Sequence, residues 1–148
     1  MTDILSTRII PRPPDVVFAA AHRIERFPEV LPDLDKVTVL SDDGAGAVSS
    51  RWEGTISVGP LTRRITWTEQ DHWDEQARSC TFDLIEGDMK VYRGTWTFSP
   101  DGEGCLVELK VQFELGIPLL GPLVNRIVDQ IIQQNCDALL EALDKLSA

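Results

Sequence analysis

The segment from Pro122 to Leu146 contains no glycine, and no proline beyond its first residue. Proline fits the first turn of a helix, where its missing N–H has no intrahelical partner to lose. At 1.5 Å per residue a helix over 122–146 spans about 37 Å. At 100° per residue, Val124, Ile127, Val128, Ile131, Ala138, Leu139, Ala142 and Leu146 fall on one stripe, with Arg126, Asp129, Gln133, Asp137 and Asp144 opposite. Such a helix needs an apolar surface of its own length. Its polar side is net acidic, which disfavours an anionic lipid surface, so the surface it covers is expected to be protein.

The rest of the chain supplies that surface. "DILSTRII" over 3–10 reads as a first strand, and "RPPDVVFAAAHRIERF" as a helix with Pro14 and Asp15 in its first turn. Strands are expected over 35–41, 47–58, 61–72, 77–86, 90–99 and 104–116, separated by turn signals such as "SDDGAG" and "SPDGEG". Connections this short make neighbours antiparallel. Tyr92, Gly94, Trp96 and Phe98 share one face, as do Val107, Leu109, Val111, Phe113 and Leu115. The other faces carry Arg93, Glu108, Lys110 and Gln112, so one face of the sheet is covered and one is wet. A curved sheet around one long helix cannot pack flush along its length, and the gap takes side chains or a ligand. Between the first helix and the second strand lies "FPEVLPDL", an apolar stretch that Pro28 and Pro32 limit to about one helical turn.

The 148 residues fit one domain, 1–148. With 14 Lys and Arg against 24 Asp and Glu, the net charge is −10. That repels phosphate backbones, and nucleic acid is not an expected partner. Cys80, Cys105 and Cys136 have no motif spacing, so neither a disulfide framework nor a metal site is expected. No signal-peptide pattern and no run of about 18 apolar residues occurs, which points to a cytoplasmic protein without stable membrane insertion.

The order of elements and the segments "IPRPPDVVFAAAHRIERFPEVLPDLDKVTVL", "SRWEGTI", "EGDMKVYRGTWTFSPDGEGCLVELKVQFEL" and "IPLLGPLVNRIVDQII" resemble the START-like superfamily. The superfamily is also called SRPBCC or helix-grip, and the nearer resemblance is to its polyketide cyclase/dehydrase and coenzyme Q-binding branch. The resemblance implies an α+β fold with a curved antiparallel sheet of about seven strands wrapped around a long C-terminal helix. Two short helices would stand between strands 1 and 2, the second of them "FPEVLPDL" at the cavity mouth. Phe27, Val30 and Leu31 would then gate the cavity, although the same residues serve equally to plug the end of the core.

The expected ligand wall consists of Trp52, Trp67, Phe82, Tyr92, Trp96, Phe98, Val111 and Phe113 from the sheet, and Val128, Ile131 and Asn135 from the helix. Gly54 and Gly94 lie on the same inward registers. Asn135 sits amid the apolar stripe, where an amide needs a partner, either a ligand oxygen or an internal group such as Trp96, Tyr92 or water. The acidic run "EQDHWDE" is expected to be solvated, and His22 to lie on the surface. No nucleophile–base pair is present at recognisable spacing. The resemblance therefore implies binding or transport of a hydrophobic small molecule, such as an isoprenoid quinone, a lipid or a polyketide-like ring system, without a cofactor. A polyketide aromatase/cyclase and a ribosome-associating role are the alternatives. The scarcity of acid–base groups tips the balance away from an enzyme.

Overall fold

The structure is a computed structural model that describes residues 1–115 and 122–148, with the side chains of the last helix described from Arg126 onward. The start of the apolar run "GIPLLGPLV", including the expected strand end at residue 116, lies outside the described residues. The strands are β1 (Thr2–Ile10), β2 (Leu34–Asp42), β3 (Ala47–Val58), β4 (Leu61–Asp74), β5 (Ser79–Gly87), β6 (Met89–Asp101) and β7 (Gly104–Leu115). All seven form one antiparallel sheet in the order β1-β7-β6-β5-β4-β3-β2. The meander β2 to β7 follows from its short turns, and β1 closes it by pairing with β7 from Thr2↔Phe113 to Ile10↔Cys105. The helices are α1 (Pro14–His22) and α2 (Pro122–Leu146). This is the expected α+β helix-grip architecture.

The segment read as one helix over 12–27 divides in two. Arg23, at φ −85° and ψ 63°, leaves the helical region, and a 3-10 helix follows over Ile24–Glu29 with Pro28 inside it. Proline disfavours the α conformation of the residue before it, here Phe27, so the tighter turn takes over. The second short helix thus begins earlier than "FPEVLPDL".

Strand alternation builds the core. Cys105, Val107, Leu109, Val111 and Phe113 of β7 are all buried, as are Trp96 and Phe98 of β6. Gly94 is needed where Phe82 crosses from β5, since a Cβ there would strike the Lys110 carbonyl oxygen and the Phe82 ring. Against this face α2 lays Val128, Cys136, Leu140 and Leu143.

The helix is rotated relative to the stripe read from periodicity. Three residues expected to face solvent instead bond to β1 or to the turn after it. Thr2 Oγ1 donates to Asp129 and Ser6 Oγ to Asp137. Asp144 accepts from Arg8 Nε at 3.1 Å and from Arg12 Nη1 at 2.7 Å. This polar seam turns Cys136 and Leu140 inward and carries Asn135 outward.

Hydrogen bonding from Arg12, then from Arg8, holds the Asp144 carboxyl below its usual 3.8. A lowered carboxyl contributes stability above its unfolded value and loses it as pH falls through the folded one. Both arginines are partly exposed, so screening keeps the contribution to about 1 kcal/mol. Asp144→Asn is therefore expected to cost about that much at pH 7 and almost nothing near pH 2. Urea denaturation at the two pH values checks this, and an equal loss at both would contradict it.

Candidate functional site

The sheet and α2 diverge at the end where β3 meets β4, leaving a cavity of about 230 Å³. Leu31, Pro32 and Leu34 form its rim, β3 and β4 give Trp52, Ile56, Ile65 and Trp67, and β6 gives Met89 and Tyr92. Leu115 closes one side, and α2 contributes Ile132, Asn135, Cys136 and Leu139. Rings run in a continuous row along this end of the sheet. Phe27 lies 6.3 Å from Trp52, Trp52 stacks on Trp67 at 5.7 Å, Trp67 meets Tyr92 at 5.5 Å, and Tyr92 meets Phe82 at 5.2 Å. Gly87, at φ +138°, fixes the approach of β5 to Trp67, because a Cβ there would strike the Trp67 backbone.

Of the residues expected on the wall, Trp52, Trp67, Tyr92 and Asn135 line the cavity, with Leu31 from the expected gate. Phe82 lies behind Tyr92. Trp96, Phe98, Val111, Phe113 and Val128 are buried in the packed core. Ile131 is half-buried on α2 and does not line the cavity. Phe27 is 1% exposed beneath Trp52, and Val30 packs on the core. Asn135 is exposed at the rim, so its amide does not need the internal partner that a core position requires.

The larger departure concerns "EQDHWDE". β4 extends to Asp74, and its inward residues are Ile65, Trp67, Glu69, Asp71 and Trp73. Glu69 and Asp71 are 5% and 3% exposed, in the core rather than in solvent. Trp67 Nε1 donates to Glu69 Oε1 at 2.9 Å, which ties the cavity wall to the acidic pair. Glu69 and Asp71 stand two apart on the inward face and are both buried, where two carboxyls cannot both ionise at little cost. Burial pushes Glu69 well above the usual range, and the hydrogen bond and charge of Asp71 push the same way. Burial also raises Asp71, against the opposing bond from Glu69 and the charges of His22 and His72. Asp71 Oδ1 and Trp73 Nε1 are buried with no partner among the described residues. His22, expected at the surface, is half-buried with its ring 4.7 Å from Trp73.

Burial raises the Tyr92 hydroxyl well above its ordinary value and the Cys136 thiol to about 12, so neither ionises at neutral pH. Cys80 is raised further, again by burial. No cluster of metal-ligating residues occurs among the described residues. The site is an apolar, aromatic chamber backed by two buried carboxyl groups.

A curved sheet gripping one long helix around such a chamber defines a START-like protein. Residues 10–140 match the family described as polyketide cyclase / dehydrase and lipid transport, and the chain belongs to that family. It is 26% identical over 140 residues to the ribosome association toxin RatA of Pseudomonas aeruginosa, covering 91% of this chain and 93% of that one. The crystal structure of TTHA0849 from Thermus thermophilus superposes with a TM-score of 0.90 at 32% identity, covering 99% and 97% of the two chains. The ZhuI aromatase/cyclase of Streptomyces sp. R1128 gives a TM-score of 0.84 at 19% identity, covering 99% and 93%, a likeness of fold.

Because the folded state raises the Glu69 pKa, the stability this group contributes is full below its unfolded value, near 4.5, and falls as pH climbs toward the folded value. Glu69→Gln, which keeps a donor for Asp71, removes this dependence. The variant is expected to gain on the parent by up to about 1.4 kcal/mol per pH unit above that value. Denaturation between about pH 4 and pH 9 measures the gap, and a gap that stays constant would contradict the raised Glu69 pKa.

Proposed function

We propose that this protein binds and carries a hydrophobic small molecule in the cavity between β3, β4, β6 and α2. The observation that carries the reading is the aromatic row Trp52–Trp67–Tyr92 facing an apolar space of about 230 Å³. A cavity of about 150 Å³ holds a single benzene ring, so this one suits a bicyclic head group with any tail leaving past the rim. An isoprenoid quinone, a ring-bearing lipid and an aromatic polyketide all have that shape. Leu31, with Phe27 and Val30 beneath and beside it, gates the passage. The cytoplasm is the expected compartment, and no helix among the described residues is long and apolar enough to cross a membrane.

A second reading, an aromatase/cyclase, is favoured by one observation. The groups nearest the cavity that could serve the proton transfers of carbonyl condensation are Tyr92 in its wall and the Glu69 and Asp71 carboxyls behind Trp67. Ribosome association, named for the relative RatA, has less support here because the net charge of −10 opposes contact with RNA. Purified ribosomal RNA should show no salt-sensitive binding in a gel shift near 0.1 M salt; a clear shift that weakens with added salt would restore that reading.

Titration with naphthoquinones and naphthols is expected to quench tryptophan fluorescence with roughly micromolar affinity, from apolar burial at about 25 cal/mol per Å² less ordering costs. Trp67→Ala should weaken binding about tenfold or more by removing a stacking face. Leu31→Gly should change on-rates in stopped flow more than it changes melting temperature. If quinones, naphthols and polycyclic polyketides all leave fluorescence and melting temperature unchanged, the binding function is lost.

A further inference from the structure

We propose that the buried Glu69–Asp71 pair sets the charge class of the ligand, so that the cavity takes neutral or cationic aromatic molecules and rejects carboxylates. This rests on the cavity-binding reading above. Among the described residues the cavity wall contains no Lys, Arg or His, and its one charged residue is Asp33 at the rim. Two carboxyls buried at one site give up one proton far more readily than two, and a pair holding one proton places one net negative charge behind the wall. That charge has no Lys or Arg within ion-pair distance among the described residues, whose pairs involve other carboxylates. The basic groups acting on Asp71 are His22 and His72. His72 is exposed and His22 half-exposed, so solvent screens both, while the pair itself is buried at 5% and 3% exposure.

The pair reaches the cavity through its wall. The Trp67 indole that faces the ligand donates its N–H to Glu69, and Tyr92, also in the cavity wall, lies 5.5 Å from that indole. No side chain has to move for the field to act. The negative faces of Trp52, Trp67 and Tyr92 act with the same sign, favouring a cation and opposing an anion. Asp71 Oδ1, buried and unpartnered among the described residues, leaves the charge without a compensating donor. At about 10 Å and an effective dielectric of about 20, one unit charge changes the affinity for another by roughly ten- to twentyfold. Fatty acids are therefore poor ligands, and the family's lipid-like cargo narrows here to uncharged or amine-bearing rings.

Three probes with one ring system test this at pH 7 by tryptophan quenching: 2-naphthalenemethanol, 2-naphthylmethylamine and 2-naphthoate. The amine is expected to bind at least as tightly as the alcohol, and the carboxylate at least about tenfold more weakly. The discrimination should survive about 0.5 M salt, which screens surface charge but not a buried one. Glu69→Gln keeps the Asp71 charge and should preserve it. Asp71→Asn leaves Glu69 as a lone, desolvated acid that keeps its proton, and should shrink it by roughly the tenfold that the pair supplies, to what the aromatic faces give alone. Naphthoate binding within about twofold of the alcohol in the parent protein, or discrimination that vanishes in salt, overturns the inference. Retention of the full discrimination in Asp71→Asn does so too. Should that variant not fold, the parent and salt series decide alone. If none of the three probes binds, it is the cavity-binding reading that fails, and a loss of charge selectivity with the alcohol still bound fails only this one.

Discussion

The arrangement of the whole molecule depends on the rotation of α2 about its own axis, and that rotation is set by the hydrogen bonds to β1. Thr2–Asp129, Ser6–Asp137 and the two arginines on Asp144 run along one flank of the helix for most of its length. β1 is the edge of the sheet, so its outer rim would otherwise present an unpaired strand. The helix covers that rim, and Gln133 donates to the Leu5 carbonyl there. With one flank fixed to β1, the apolar stripe cannot centre itself on the sheet. Val128, Cys136, Leu140 and Leu143 pack down, and Ile132, Asn135 and Leu139 are left against the divergent end. The cavity is the consequence, because a helix held at one edge cannot also close against β3 and β4.

β4 shows what that space costs and what it contains. Its inward residues pass from the open chamber to the closed core in the order Ile65, Trp67, Glu69, Asp71, Trp73. The two acids stand where the wall becomes core. A buried carboxylate pair is expensive unless protonated or partnered, and here one indole N–H meets only part of the demand. Asp144 presents the opposite case, a carboxylate at the surface whose arginine partners lower its pKa. The same side-chain chemistry thus favours folding at neutral pH at the seam and opposes it beside the cavity.

The architecture was legible because its signals are local and repeated. Period-two alternation in β6 and β7, short Gly- and Asp-rich turns, and an uninterrupted segment from Pro122 to Leu146 each specify one element. The rotation of α2 was not legible, since a polar residue that bonds to an edge strand looks like one that faces water. Asp129, Asp137 and Asp144 carry no mark of their partners on β1, and the true position of Asn135 is hidden for the same reason. Glu69 and Asp71 were a different failure, because the parity of β4 places them with Trp67 and Trp73 on one face. The charge-rich string "EQDHWDE" carries the composition of a solvated run, which masks the period-two alternation within it. Trp96, Phe98, Val111 and Phe113 do lie on the inner face, but periodicity cannot tell which part of an inner face is packed and which is open.

The proline-bounded stretch after α1 joins both themes. Pro28 holds the chain in a 3-10 turn and Pro32 limits its continuation, so successive apolar side chains point in divergent directions rather than along one helical face. Phe27 goes inward beneath Trp52 and fills the end of the core. Leu31 and Leu34, a turn further on, stand on the cavity rim opposite Asn135 and Leu139 of α2. Plugging and lining are thus divided between residues of one short segment. A regular helix would have put Phe27 and Leu31 on the same side, committing both to the core or both to the rim. The broken turn lets the molecule seal its core at one residue and keep an apolar lip at the next, and that lip lies across from the flank of α2 that the seam to β1 leaves free.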